Sequence, residues 1–330
     1  MADVARRAGV STATVSNALN GTGRVSKEAS DRVRAAVGEL GYLPSQTARN
    51  LKTGRSRTIG LVLPDITNPF FPKLAQDVER AASERGYAVL LADTGGSLAR
   101  ERQAVRNLIS RGVEAILLVP AGADGPGLDS RTPVVLLDRT DGKSGLNSDH
   151  AAGGALVARH LLELGHREFV ILAGPESLQS ALARVEAMRE TIQAAGITVP
   201  ASRVLSSAFS VQAGLAAIKT LLAERSARFT AVLAANDALA LGALSGLLQA
   251  GLRVPQEVSV TGFDDIPWAA LAAPALTTVH QDTAALADAA LRLALDGLKS
   301  SGPIPVQLIV RGSTARVDAK EYIGSGRRRA

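Results

Sequence analysis

Polar and aromatic side chains recur at the ends of apolar, strand-like runs along most of this sequence. The set comprises Asp65, Asn68, Phe70, Phe71, Asp138, Arg139, Arg184, Phe209, Asn236, Asp237, Asp264 and Gln281. Aromatic faces can stack on the C–H faces of a sugar ring, while carboxylate, amide and guanidinium groups share its hydroxyls. A mostly apolar cleft with a few convergent polar groups is typical of a small-ligand site. The pattern therefore predicts such a site, although each residue alone could equally be a strand-end cap or an ion pair.

Side chains that could carry catalysis are scarce. The chain has no cysteine, which excludes disulfides and thiol chemistry, and its four histidines form no H-x-x-x-H pair. No G-x-S-x-G occurs, and the GKS at 142–144 lacks the upstream glycine of a phosphate-binding loop, because Leu137 stands there. Asp264 and Asp265 are adjacent carboxylates, but the sequence offers them no acid–base partner. We therefore expect no enzyme activity, no metal and no cofactor.

The charge of the chain is concentrated at its start. The 330 residues carry a formal net charge of +6. Residues 1–57 hold ten Lys and Arg against four Asp and Glu, whereas the remainder holds twenty-seven of each. A small basic module on a neutral body is typical of a polyanion binder, although a merely solvated basic surface is the alternative. No apolar run reaches the ~20 residues of a membrane span, and the polar start is unlike a signal peptide.

Residues 2–40 show three helical patterns that are separated by glycines. A first short helix ends at Gly9, Ser11 can cap a second over Thr12–Leu19, and Ser26 can cap a third over Lys27–Leu40. The inward-facing residues would be Val4, Ala5, Ala8, Val15, Ala18, Leu19, Val33, Val37 and Leu40. Two short helices with a tight glycine-containing turn, followed by a third, predict an all-α helix-turn-helix head. A helical hairpin used only for packing is the alternative.

The second helix of such a head lies in the major groove and presents its first residues to base edges. The predicted DNA contacts in the head are Thr12, Ala13, Thr14, Ser16, Asn17 and Arg24. Asn can pair with adenine through two hydrogen bonds, and the methyl groups of Thr and Ala can touch thymine. Arg6, Arg24, Arg32 and Arg34 are better suited to phosphates, which position the protein without specifying sequence.

Beyond residue 57, apolar strand-like runs alternate with helical patterns. The runs are TIGLVLP, YAVLLAD, AILLVP, PVVLLD, EFVILAG, AVLAAN and VSVTGFD. The helices are predicted over 73–85, 100–111, 151–164, 182–195, 211–224 and 239–250. Continuous apolar strands with intervening helices predict parallel sheets covered on both faces, with ligands beyond the carboxyl ends of the strands. The pattern repeats over about 58–147 and 148–281, so two α/β lobes with a cleft between them are expected.

The sequence resembles the LacI/GalR family of bacterial transcription regulators over nearly its whole length. The resemblance is carried by DVARRAGVSTATVSNALNG, by the spacing from there through GYLP to IGLVLPD, and by NPFF, LLDR, ARVEA, NDALALGA, GFDD and LTTVHQ. It implies a head at 1–43, a hinge helix at 44–56 and an effector-binding and dimerisation domain at 57–330. That domain would have the two-lobed, periplasmic-binding-protein-like (type I) fold. Its first lobe would span about 57–147 and 282–303, and its second about 148–281 and 304–320.

The segment 44–56 has two interpretations. Ser45–Thr53 is too short to persist as an isolated helix, so on its own it would be a flexible tether. The family resemblance instead implies a hinge helix that orders on DNA, where Leu51 wedges between base pairs in the minor groove and Lys52 flanks it. Such a wedge costs a few kcal/mol of unstacking and gains a bent duplex that contacts more protein.

The resemblance also assigns the effector contacts. The positions that match ligand-binding motifs of the related ribose-binding proteins are Asn68, Phe70, Phe71, Asp138, Arg139, Arg184, Phe209, Asn236, Asp264 and Gln281. This match implies a pentose of the ribose type. Val119 stands where the ribose-binding pattern has an asparagine, so the identity of the sugar stays open.

These expectations combine into a cytoplasmic transcription regulator, most often a repressor in this family, that joins the nucleoid when bound to DNA. Its predicted partners are palindromic double-stranded operator DNA, a small sugar and a second copy of itself, with no membrane. The competing functions are an enzyme and a transport-type sugar receptor. The sequence leaves open the operator, the sign of the effector response and whether dimers pair into tetramers.

Overall fold

The computed structural model describes residues 1–42, 55–122, 131–138, 145–224, 228–298 and 302–317. The chain divides into two compact units, Met1–Ser56 and Arg57–Ala330. Leu51, Lys52 and Arg139 lie outside the described residues. Within the described part, no helix is long and apolar enough to cross a membrane.

The first unit contains three helices whose ends are set by local signals. They are α1 Ala2–Ala8, α2 Thr12–Asn20 and α3 Lys27–Glu39. Gly9 ends α1 with φ of 64°, a left-handed conformation that glycine adopts without steric cost. Ser11 Oγ accepts from the Thr14 N–H at 3.1 Å and Ser26 Oγ from the Ala29 N–H at 3.2 Å, so both predicted N-caps are confirmed.

The three helices enclose one small apolar core. Its buried members are Val4, Ala5, Ala8, Val15, Val33 and Ala36. Val10, Ala18, Leu19, Val37 and Tyr42 pack against it while partly exposed. The inward position predicted for Leu40 is wrong, because α3 ends at Glu39 and Leu40, which follows as its C-cap, is 47% exposed.

The second unit begins with a parallel α/β lobe, which we call the first lobe. Its sheet has the order β2-β1-β3-β4-β5. The strands are β1 Thr58–Leu63, β2 Ala88–Asp93, β3 Ala115–Leu118, β4 Val134–Leu137 and β5 Gly145–Leu146, and the helices between them are α4 Phe70–Glu84 and α5 Leu98–Ser110. Leu61 pairs with Leu91 on one side and Leu117 on the other. β1 and β3 are buried, whereas β2 is an exposed edge, which the apolar run YAVLLAD did not predict.

The second lobe repeats this architecture with the sheet order β7-β6-β8-β9. Its strands are β6 Phe169–Ala173, β7 Val204–Ser206, β8 Ala231–Ala234 and β9 Ser259–Thr261. Its helices are α6 His150–Glu163, α7 Gln179–Ala194, α8 Val211–Ala223, α9 Asp237–Gln249 and the short α10 Pro267–Leu271. The predicted parallel sheets covered by helices are therefore confirmed in both lobes.

After α10 the chain contributes to both lobes again, through two strands and a helix whose bounds the sequence patterns did not give. β10 Thr278–Gln281 pairs antiparallel with β11 Val306–Ile309, and both pack on α6 of the second lobe. Between them, α11 Thr283–Leu291 packs on α4 of the first lobe. The Thr283 hydroxyl donates to Asp77 Oδ2 at 2.6 Å, so this crossing is anchored to a buried carboxylate.

The last described residues are fastened to the second-lobe sheet by a buried histidine. His166 Nδ1 lies 2.9 Å from Thr230 Oγ1, and its Nε2 lies 3.0 Å from Ser259 Oγ and 3.1 Å from the Ala315 carbonyl. Burial lowers the pKa of His166 to about 4. The folded protein therefore holds this ring neutral where an unfolded chain would begin to protonate it.

We predict that His166 contributes an acid-sensitive part of the free energy of unfolding. Because its folded pKa is depressed, this contribution is complete above pH 6.5 and is lost as the pH falls towards 4, by about 3 kcal/mol at most. Urea unfolding of wild type and His166→Asn between pH 7.5 and 4.5 measures it. The variant should be less stable at pH 7.5 but should lose less stability on acidification. Parallel pH profiles would contradict the assignment.

Candidate functional site

A cavity of about 460 Å³ lies between the two lobes, at the carboxyl ends of their parallel strands. Proteins bind small molecules in cavities of this size. Seven of the ten predicted effector contacts line it: Asn68, Phe70, Phe71, Asp138, Arg184, Phe209 and Asp264. Val119 also lies in its wall, so the side chain that stands in place of an asparagine faces the cavity.

The first-lobe wall is shaped by the turn between β1 and α4. Asn68 Oδ1 accepts from the Phe70 N–H at 3.2 Å, which fixes the start of α4. The rings of Phe70 and Phe71 meet edge to face with centroids 5.4 Å apart. Aromatic pairs in this arrangement are mutually stabilising, and they offer the cavity a rigid apolar surface.

Phe209 supplies an aromatic side chain from the second lobe. A Cβ atom built on Gly174, just after β6, would lie 2.2 Å from the Phe209 ring. Only glycine at this position therefore leaves enough space for the ring. Aromatic groups therefore enter the cavity from both lobes, as a ligand with apolar C–H faces requires.

Two aspartates end their strands in left-handed backbone conformations. Asp138 has φ of 64° directly after β4, and Asp264 has φ of 114° three residues after β9. Positive φ is uncommon for a residue with a Cβ and concentrates at functional sites. The conformation brings a carboxylate from each lobe to the cavity.

Arg184 is the buried cation of the site. Its Nη1 donates to the Ala235 carbonyl at 2.7 Å and to Asp264 Oδ1 at 3.1 Å, and its Nε donates to His150 Nδ1 at 3.2 Å. The guanidinium carbon lies 3.9 Å from the centre of the Phe263 ring, a cation–π contact. Among the described residues Nη2 makes no hydrogen bond, so this nitrogen is available to a ligand in the cavity.

Asp264 is buried, but one of its two carboxylate oxygens has no hydrogen-bond partner among the described residues. Its Oδ1 accepts from Arg184 and from Gln281 Nε2 at 2.7 Å, while the described residues offer Oδ2 no partner. Burial raises the pKa of Asp264 to about 6, although the Arg184 charge and the hydrogen bonds from Gln281 and Arg184 oppose the rise. At neutral pH the group is mostly ionised and can accept hydrogen bonds from ligand hydroxyls.

Two of the predicted contacts stand behind the cavity wall. Asn236 is 1% exposed and caps α9 by accepting from the Leu239 N–H at 2.9 Å. Gln281 is 3% exposed and holds Asp264. Neither lies in the lining, so the structure places both in support of the site. Asp237 also supports it, because its carboxylate accepts from Thr278 Oγ1 at 2.5 Å and from the Ile266 N–H at 2.9 Å.

The sequence patterns missed His150 and Ser180. His150 begins α6 and its Nε2 lies 2.6 Å from Asp138 Oδ1, while Ser180 lines the cavity near the start of α7. Serine at a helix start is commonplace, and the spacing of the four histidines does not single out His150. The one available signal was the position of His150 just beyond a strand end.

In the first unit, the predicted DNA-contact residues lie on one helix and the turn that follows it. Thr12, Ala13 and Arg24 are exposed, whereas Thr14, Ser16 and Asn17 are partly buried. Thr14 Oγ1 lies 2.9 Å from Ser11 Oγ, so this hydroxyl takes part in the cap. Asn17 Oδ1 accepts from the Thr22 hydroxyl at 3.4 Å, which ties it to the turn after α2.

Two family sequence models match this chain. The model described as "Bacterial regulatory proteins, lacI family" matches residues 1–45, and the "Periplasmic binding protein-like domain" matches residues 158–314. The ribose operon repressor of Escherichia coli K12 is 36% identical in an alignment of 299 positions that covers 88% of this chain and 90% of that protein. The repressor PurR of Haemophilus influenzae is 32% identical in an alignment of 331 positions that covers 96% of this chain and 98% of PurR.

Solved structures of regulators are also similar to this chain. The lac repressor dimer bound to operator and the anti-inducer ONPF has a TM-score of 0.84 at 29% identity, covering 95% of this chain and 98% of that one. A LacI family regulator of Enterococcus faecium with bound ribose has a TM-score of 0.68 at 29% identity, covering 79% and 100%.

We predict that Gln281→Leu raises the pKa of Asp264 further, by about one unit, because it removes a hydrogen bond to the ionised form. Carbon-13 NMR of the aspartate carboxyl groups, titrated without ligand from pH 4 to 8, measures the change. Gln249→Leu, which alters an exposed glutamine of α9, is the matched control and should leave the titration as in wild type. An unchanged Asp264 titration in Gln281→Leu would show that the side chain does not hold this carboxylate.

Proposed function

This chain belongs to the LacI family of bacterial transcription regulators, and we propose that it is a DNA-binding repressor whose operator affinity is controlled by a small sugar of the ribose type. The observation that carries the proposal is one chain that combines a basic three-helix unit with a cavity built from aromatic rings, two carboxylates and an arginine. Its relatives are repressors rather than enzymes. The name of its ribose operon relative and the ribose-bound family structure support the ligand class.

The repressor acts as a homodimer on palindromic operator DNA. One head reads a half-site, so two heads related by twofold symmetry match a palindrome. The dimeric, operator-bound lac repressor structure supports this arrangement. We propose that the protein is cytoplasmic and joins the nucleoid when bound, because a bacterial DNA-binding repressor acts where the DNA lies.

The base-reading surface that we propose comprises Thr12, Ala13, Thr14, Ser16 and Asn17, with Arg24 on a phosphate. Its support is the exposure of Thr12, Ala13 and Arg24 and the three-helix core beneath them. We further propose that residues 1–43 form the head and that 44–56 form a hinge, in which Leu51 enters the minor groove beside Lys52.

For the effector we propose direct contacts with Asn68, Phe70, Phe71, Asp138, Arg139, Arg184, Phe209 and Asp264, with Asn236 and Gln281 behind them. The open Oδ2 of Asp264 and the open Nη2 of Arg184 offer an acceptor and a donor to vicinal hydroxyls. A ligand that touches both lobes favours the closed arrangement. Closure changes the spacing of two hinges, and this coupling is reciprocal and typically worth ~1–3 kcal/mol.

We predict that Ala13→Gln changes the preferred base at one operator position and costs about 1–3 kcal/mol on the original operator. The operator itself is first obtained by selecting wild-type protein on randomised DNA, and fluorescence anisotropy then gives the affinities. An unaltered preference in a second selection would contradict base reading by this helix.

The control for this experiment is Arg24→Ala. If Arg24 contacts a phosphate, binding weakens on every sequence and the slope of log affinity against log salt falls by about one. Wild-type protein that binds no duplex even at low salt would contradict the proposed function as a whole.

We predict that D-ribose raises the melting temperature, because a ligand that binds only the folded state stabilises it, by about 2.7 kcal/mol at a hundred times its Kd. Asp264→Asn should weaken the sugar about ten- to a hundredfold, since it removes a charged hydrogen-bond acceptor. Thermal shift and calorimetry over pentoses, hexoses and nucleosides measure both effects.

Asp265→Asn is the matched control. Asp265 also has a positive φ, but its carboxylate pairs with Arg311 at 2.6 Å and with His280 at 3.0 Å rather than lining the cavity. This variant should keep the ligand-induced shift even if its own melting temperature falls. Equal losses in both variants would contradict the placement of the sugar beside Asp264.

A further inference from the structure

Four side chains form a continuous chain of contacts from one lobe to the other. Asp138 Oδ1 of the first lobe lies 2.6 Å from His150 Nε2, and His150 Nδ1 accepts from Arg184 Nε at 3.2 Å. Arg184 continues to Asp264 through Nη1 at 3.1 Å. Of these four residues, His150 is therefore the one that contacts both Asp138 of the first lobe and Arg184 of the second lobe.

The surroundings of His150 define its protonation state. The ring is 1% exposed, lies beside the Phe263 ring with centroids 6.0 Å apart, and is faced by the carboxylates of Asp138 and Asp149 and the guanidinium of Arg184. Burial lowers the pKa of His150, and Arg184 adds to the effect, while the two carboxylates oppose it. Since Nδ1 accepts from an arginine, the single proton of the neutral ring is on Nε2. This nitrogen lies 2.6 Å from Asp138 Oδ1, a close contact that does not have hydrogen-bond geometry.

We propose that His150 is a positioning residue for the effector: its neutral ring aims the Arg184 guanidinium into the cavity and ties it to Asp138 of the opposite lobe. The proposal rests on the proposed function of the cavity as the effector site. His150 does not line the cavity, so it acts through Arg184 and Asp138.

Protonation of His150 would disrupt this arrangement. An added proton on Nδ1 turns the acceptor into a donor that faces the Nε–H of Arg184, and it places two positive charges side by side. Effector affinity should therefore fall as the pH decreases. Asp264 also takes up a proton near pH 6, which lowers affinity in the same direction, so a variant must separate the two contributions.

His150→Gln and His150→Leu make this separation. A glutamine can accept from Arg184 with Oε1 and donate to Asp138 with Nε2, but it does not titrate. We expect His150→Gln to bind D-ribose within about threefold of wild type at pH 8 and to lose less affinity by pH 5.5, while His150→Leu loses about tenfold or more at pH 8. Isothermal titration calorimetry at both pH values measures this.

His160→Gln is the control on the same helix. His160 Nε2 lies 3.0 Å from Thr314 Oγ1 and contacts neither Arg184 nor Asp138, so this variant should follow the wild-type pH profile. The proposal is overturned if His150→Leu binds as wild type, if both His150 variants lose affinity equally, or if His150→Gln keeps the wild-type pH dependence.

A ligand-free measurement separates this proposal from the proposed function. Nitrogen-15 NMR of the imidazole groups at pH 7 should show His150 neutral with its proton on Nε2. A proton on Nδ1 would overturn the positioning role whether or not ribose binds. Failure of every sugar to bind, with the expected tautomer present, would instead contradict the effector class.

Discussion

The buried positive charge of Arg184 is the interaction on which the rest of the cavity depends. A guanidinium that is 4% exposed is costly to remove from water unless its donors are satisfied and its charge is balanced. Here Asp264 balances the charge, a carbonyl and His150 accept from it, and Phe263 lies under its plane. These partners come from separate segments of the second lobe, so the cation can be buried only when that lobe is folded. The result is a buried donor whose Nη2 makes no hydrogen bond to any of the described residues.

Around this charge, the site is held by residues that a ligand does not reach. Gln281 donates to Oδ1 of Asp264, and Asn236 caps the neighbouring α9. The left-handed backbone at Asp138 and Asp264 stores strain that only a well-supported structure maintains. Such support lets the polar groups be oriented before a sugar arrives, which reduces the ordering cost of binding.

The polypeptide chain itself also connects the supported site in the second lobe to the first lobe. α11 crosses back to the first lobe directly after Gln281, and Thr283 is anchored to Asp77 there. Strand β10, whose last residue Gln281 donates to Asp264, therefore continues directly into a helix that packs on the opposite lobe. The Asp138–His150 contact is a second link between the two lobes, made by side chains rather than by the chain itself.

The sequence by itself determined the features that arise from neighbours in the chain. Serines at helix starts and glycines at helix ends specify the head, because a cap needs only residues within one turn. Apolar runs that alternate with helical patterns specify the parallel sheets, and the polar and aromatic residues at strand ends specify eight of the cavity side chains. Only the tertiary structure decided that Asn236 and Gln281 stand behind the wall and that His150 joins the two lobes. Those outcomes depend on partners far apart in sequence, such as His150 with Arg184, and no local pattern encodes such a distance.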